Sequence, residues 1–181
     1  MTKFQSLVQL IHSMTIAEKK AFRIKSLRKK SAPDYMVLYN IIEQGPDQAP
    51  SELKAAFLKE RPSATFETTA KYLLEILLDT MLELRKEQDS FFSLFNKILK
   101  AKILFEKSLY DECFELLHYV ILQAEKYENY YAMLLAGRLE IEYQMALNFP
   151  NLSEKELLNK QFNITESLKY LRKVNEQSSL Y

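Results

Sequence analysis

The chain has 181 residues, of which 48% are apolar, with 25 basic and 24 acidic side chains. That length suits one domain or two small ones with a sizeable buried core, and a formal charge of +1 gives no whole-molecule attraction to nucleic acid or to a membrane surface. With only Gly45 and Gly137, no Gly-rich phosphate loop, dinucleotide fingerprint or nucleophile elbow can be built, and the single Cys113 excludes an intramolecular disulfide and disfavours a Cys-based zinc site.

Apolar residues recur at helical spacing throughout, and no stretch sustains the alternation of a strand, so the expected fold is all-α with about eight or nine helices. The first helix spans about residues 3–13, where Phe4, Leu7, Val8, Leu10 and Ile11 are interrupted by Gln5, Ser6 and Gln9. That pattern is unlike the continuous apolar core of a signal peptide, and no run is long enough for a membrane helix, so a cytoplasmic location is the default expectation. The second helix opens with the capping box Thr15-Ile-Ala-Glu18 and covers about 16–29. Its expected apolar stripe is Ala17, Ala21, Ile24 and Leu27 with Phe22 beside it, and the segment Ser31-Ala-Pro33 ends it.

A third helix, about 34–44, presents Tyr35, Leu38, Tyr39, Ile41 and Ile42 and stops at Gly45-Pro46. Ser51 is the expected cap of a short helix to about Lys59, with Leu53, Ala56 and Phe57 as its buried side. Beyond Arg61-Pro62-Ser63 a long helix, about 65–87, carries a wide apolar stripe including Leu73, Ile76 and Leu77, which makes it the expected spine of the first half. Helices of about 90–107, 110–127, 129–148 and 153–175 then follow with connections of a few residues, so sequential helices should pack antiparallel. Asp89, Asn129 and the capping box Ser153-Glu-Lys-Glu156 mark their starts. The expected organisation is an N-terminal helical unit, 1–88, and a region of hairpins, 89–181, one continuous domain being the alternative.

Within the second half, Leu104-Phe105-Glu-Lys-Ser-Leu-Tyr-Asp-Glu-Cys113 is the most distinctive stretch. Ala101 falls where a small residue is wanted late in a first helix, Ser108 stands at the turn, and Tyr110-Asp-Glu-Cys113 opens a second helix with Cys113 as its small contact and Leu117 as its large one. This pattern resembles a tetratricopeptide repeat, a helix pair of about 34 residues, with the recognisable unit at roughly 94–127 and a longer, divergent hairpin at 129–175. Lys97 departs from the pattern where the family has a bulky aromatic, and Val120 stands for a preferred alanine. A second stretch, Phe4 to Leu27 with its Ser13-Met-Thr-Ile-Ala-Glu-Lys-Lys-Ala-Phe-Arg-Ile-Lys-Ser-Leu27, resembles the N-terminus of larger uncharacterised bacterial helical-repeat proteins. These resemblances imply a right-handed, solenoid-like array of stacked hairpins that binds a protein or peptide, and a chain that is the first part of a longer protein.

The candidate chemistry is sparse. His12 and His118 are the only histidines, and neither sits among residues spaced as metal ligands. Cys113 matches a helix-contact position, which predicts burial, and Glu140 with Glu142, or Glu154 with Glu156, sit two apart and are expected on a solvated face. Tyr127, Tyr130, Tyr131 and Tyr143 gather around one hairpin, where core packing is the expected role, and Gly137 inside a helix suggests a close helix approach. Residues 1–32 hold eight basic side chains against Glu18 alone, leaving 17 basic and 23 acidic for the remainder. The basic helix 16–30, with Lys19, Arg23, Lys25, Arg28, Lys29 and Lys30, could neutralise several phosphates, so a nucleic-acid-associated regulator is the second functional expectation. The first is a non-catalytic protein-binding scaffold, without cofactor or metal, for which no catalytic, cofactor-binding or metal-ligating residue is nominated.

Overall fold

The computed structural model describes residues 2–26, 33–45, 48–148 and 153–178. Among these, nine α-helices and no strand are found, in agreement with the all-α expectation. The chain divides into two compact units, Met1–Leu84 and Arg85–Tyr181.

The first unit contains α1 (Lys3–Ser13), α2 (Ile16–Ser26), α3 (Asp34–Gln44), α4 (Pro50–Glu60) and most of α5 (Phe66–Gln88). Local chemistry explains the starts. The Gln5 N–H donates to the Thr2 hydroxyl at 3.2 Å while the Thr2 N–H donates to the Gln5 side chain at 2.6 Å, a reciprocal cap on α1. The Thr15 N–H donates to Glu18 at 2.8 Å and the Glu18 N–H to the Thr15 hydroxyl at 3.3 Å, so α2 begins where its capping box predicts. Helix α4 starts one residue before the expected cap Ser51. Pro50 takes the first helical position, where its missing N–H costs nothing, and Glu52 reaches back to the Ala49 N–H at 3.0 Å.

Large side chains form the core of this unit, with Leu7, Ile11, Phe22, Tyr39, Ile42 and Phe57 fully buried. Ring pairs tie the helices together: Phe22 meets Tyr39 at 4.6 Å between centroids, and Phe66 meets Phe4 at 4.8 Å and Phe57 at 5.9 Å. The buried face of α2 differs from the expected stripe. Phe22 and Ser26 are buried, whereas Ala17 and Ile24 are exposed and Ile16 is 88% exposed. The aromatic pocket formed by Tyr35 and Tyr39 of α3 takes Phe22, and that single large ring sets the rotation of the helix against the smaller side chains. The expected continuation of α2 through Leu27, Arg28 and Lys29 lies outside the described residues.

The second unit is more uniform. Helices α6 (Ser90–Glu106), α7 (Tyr110–Lys126) and α8 (Tyr130–Ala146) each have 17 residues and start 20 apart, and α9 (Glu154–Ser178) follows with 25. The same turn ends all three shorter helices. The capping residues Lys107, Tyr127 and Leu147 have φ of −95°, and the next residues, Ser108, Glu128 and Asn148, are left-handed at φ 60°, 52° and 57°. Ser108 N–H donates to the Phe105 carbonyl at 3.0 Å and Leu109 N–H to the Leu104 carbonyl at 3.0 Å, and Glu128 and Asn129 repeat the pair to Glu125 and Ala124. These are Schellman turns built without glycine.

Side-chain pairing shows successive helices running antiparallel. In α6 and α7, Phe105 meets Tyr110 at one end and Lys97 lies over Tyr119 in the middle. In α8 and α9, Tyr130 stacks on Tyr170 while Glu140 meets Lys160. Small residues line the seams: Ala101, Cys113, Ala124, Ala132 and Ala136 are all buried, which lets the helix backbones approach closely. Helix α8 also reaches back to α6, where the Tyr143 and Phe105 rings stack at 3.8 Å.

Candidate functional site

Among the described residues of the second unit, two concave sites stand out. The larger, about 410 Å³, is bounded by the end of α5, the start of α6 and the end of α7. Asp89 accepts the Phe91 N–H at 2.8 Å and fixes the start of α6, so that Ser93 and Lys97, four residues apart, share one face. Across from them Tyr119 and Gln123 of α7 and its capping residue Tyr127 recur every fourth residue, and the buried Leu94 forms the base. The half-buried Lys97 ammonium donates to the Ser93 hydroxyl at 2.9 Å and lies 5.4 Å from the Tyr119 ring centroid. Among the described residues no carboxylate lies within ion-pairing reach of it.

The smaller site, about 230 Å³, is walled by Ile121 and Leu122 of α7, Met133 and Gly137 of α8, and Ile164 of α9. A Cβ on Gly137 would fall 3.3 Å from Ile164 Cγ1, so the glycine permits the close approach that its position inside a helix suggests. Glu140 lines this site and is only 6% exposed, against the expectation of a solvated face. Lys160 of α9 pairs with it at 2.7 Å, and a carboxylate one helical turn from the close approach at Gly137 is carried under the neighbouring helix with its counterion. Ser167, also buried, donates to the Asn163 carbonyl at 2.8 Å.

The basic helix is partly occupied by the protein itself. Lys19 lies 3.5 Å from Glu43 of α3, Arg23 pairs with the same carboxylate, and Lys25 lies 3.2 Å from Glu83 of α5. Tyr39 also donates to Glu43, at 3.2 Å. Burial and the adjacent Glu43 charge push the Tyr39 phenol up to about 12. Burial opposes ionisation of Glu43, but the hydrogen bond and charge of Arg23, aided by Lys19, outweigh it and hold the carboxyl below its ordinary range. Arg28, Lys29 and Lys30 lie outside the described residues.

The remaining candidates are dispersed. His12 donates to the Ile42 carbonyl at 2.8 Å, and His118 is exposed at the smaller site. Cys113 is fully buried and burial pushes its thiol up, which disfavours the reactive thiolate. The tyrosines divide: Tyr143 is buried on Phe105 and Tyr130 stacks on Tyr170, whereas Tyr127 and Tyr131 are exposed, the former at the larger site. Among the described residues no group of three or more His, Cys, Asp or Glu could hold a metal ion, and no helix is long and apolar enough to cross a membrane. The Lys97 site was not foreseen, although Lys97 in place of a bulky aromatic is the signal that could have pointed to it: the slimmer chain leaves the space open. No family model, curated protein or solved structure matches the chain.

Proposed function

We propose that the chain is a non-catalytic scaffold of the tetratricopeptide-like kind, in which the second unit forms a right-handed array of antiparallel hairpins that binds a protein or peptide. The observation that carries this reading is the repetition of a 17-residue helix starting at residues 90, 110 and 130, each followed by the same left-handed turn at Ser108, Glu128 and Asn148. The contact of α6 with α8 supports it, because stacking each helix on the next but one is how hairpin arrays bury a continuous core. The hairpin period of 40 residues exceeds the roughly 34 of a tetratricopeptide unit, so each helix presents about one extra turn of surface. Leu99 and Ile103 of α6 and Leu122 of α7 stand half or more exposed and offer apolar contact.

Affinity capture from a bacterial lysate tests this reading, comparing the wild-type chain with Leu122→Asp. A discrete protein retained through nuclease and high salt, and lost with Leu122→Asp, supports it. Capture that collapses with nuclease or added salt supports phosphate binding by the basic helix instead, since counterion release makes such binding steeply salt-dependent.

A further inference from the structure

We propose that the cavity between α6 and α7 is a binding site for a small monocarboxylate carried on a flat apolar body, with Lys97 as its anchor. This goes beyond the scaffold reading and stands or falls separately, because it concerns a small ligand and one cavity. A lysine ammonium removed from bulk water is ordinarily paired with a carboxylate, since an uncompensated charge in a low-dielectric setting is costly. Lys97 is half-buried, holds a single hydroxyl and a ring face, and has no acidic partner among the described residues. It therefore presents an unused positive charge to a cavity of about 410 Å³.

The rest of the lining specifies the ligand. Ser93, bonded to the ammonium, and Ser90 and Gln123 elsewhere in the lining supply neutral hydrogen-bonding groups for the oxygens of a carboxylate. One cation serves one negative charge, and Glu87 and Asp89 at the same cavity repel a dianion such as a phosphate monoester about twice as strongly as a monoanion, which Lys97 can offset. Leu94 at the base and the rings of Tyr119 and Tyr127 favour an aromatic body over a freely hydrated aliphatic acid. The ion pair that such a ligand would form is absent from the smaller site, where Lys160 already holds Glu140 at 2.7 Å.

The test is an NMR titration of the full chain with benzoate, benzamide and inorganic phosphate, following backbone amides. Benzoate is expected to give saturating shifts centred on Ser93, Lys97, Tyr119 and Gln123, with benzamide at least tenfold weaker because it keeps the ring and loses the charge. Lys97→Met, which keeps length and helix propensity, should abolish benzoate binding while leaving the thermal midpoint unchanged or higher, since it removes a charge that has no counterion. Lys97→Gln serves the same purpose should the Met variant misfold. Equal binding of benzoate and benzamide, phosphate binding as tight as benzoate, unaltered binding in both Lys97 variants, or no saturable shift at the cavity would each overturn the proposal.

Discussion

The two units of this chain reach an α-helical fold by different means. In the first, α1 to α4 are each 11 residues long, and they are held by large buried side chains and ring pairs around Phe22, Tyr39, Phe57 and Phe66. In the second, helices half as long again repeat at a fixed interval, and the buried seam is made of Ala101, Cys113, Ala124, Ala132 and Ala136 beside a few larger residues. Short helices are marginal on their own and need side-chain mass to hold them, whereas long helices with small seams gain from close, repeated backbone approach.

Opposite substitutions should break the two cores, and the largest effect is expected in the first. Phe57 is fully buried against Phe66, and Phe57→Ala should cost about 3–5 kcal/mol by lost burial and the cavity left behind. Urea unfolding measures the loss, and amide exchange should locate it in residues 2–84, leaving α7 and α8 as protected as before. The second unit should fail instead by overfilling. Ala136 is fully buried, so Ala136→Leu should cost about 1–3 kcal/mol although leucine is a good helix former. Should the same gain in size be tolerated there, the small-residue seam would not set the helix spacing.

Much of this architecture was legible in the sequence because its signals are local. Thr15 with Glu18, Ser153 with Glu156, and the caps Asp89 and Asn129 all make the side-chain bonds that their positions predict. The errors arose where a tertiary partner decided the outcome. Ile24 and Phe22, two residues apart, lie on nearly opposite sides of α2, and the rings of Tyr35 and Tyr39 determine that Phe22 goes inward. Spacing put Glu140 in solvent, yet Lys160, twenty residues on, meets it beneath α9. The vacancy beside Lys97 likewise depends on α7 lying opposite, which no local pattern in α6 contains.

The comparison sharpens at α2, which ion pairs as well as rings hold to the first unit. Glu43→Gln should cost about 1 kcal/mol, a modest figure because Arg23 is half-exposed and its pairing is screened by solvent. Glu43 has a depressed pKa when folded, so its contribution is present above the ordinary carboxylate range and is lost as the pH falls through the folded value. Stability of the wild type measured by urea unfolding should therefore drop in acid by more than that of Glu43→Gln, and the two should converge once the carboxyl is protonated. An unchanged gap between them across the acid range would mean that the ion pairs do not stabilise the docked helix.

The smallest expected effect tests the repeated turn. Ser108, Glu128 and Asn148 all take left-handed backbone, a conformation that costs a residue with a Cβ about 1–2 kcal/mol and that asparagine tolerates best. Glu128 lacks the short side chain of asparagine and, among the described residues, makes no side-chain hydrogen bond that would relieve it, so Glu128→Gly should remove the strain. Glycine also loses more freedom on folding, about 1 kcal/mol, which leaves a net gain of about 0.5 kcal/mol. Asn148→Gly should gain less than Glu128→Gly, because asparagine already accepts the geometry. Thermal unfolding of both variants gives the order, and an Asn148→Gly gain as large as that of Glu128→Gly would show that left-handed strain does not govern these turns. The predicted order follows from the identity of one residue in a turn whose backbone is otherwise the same, so the repetition of the second unit supplies its own internal control.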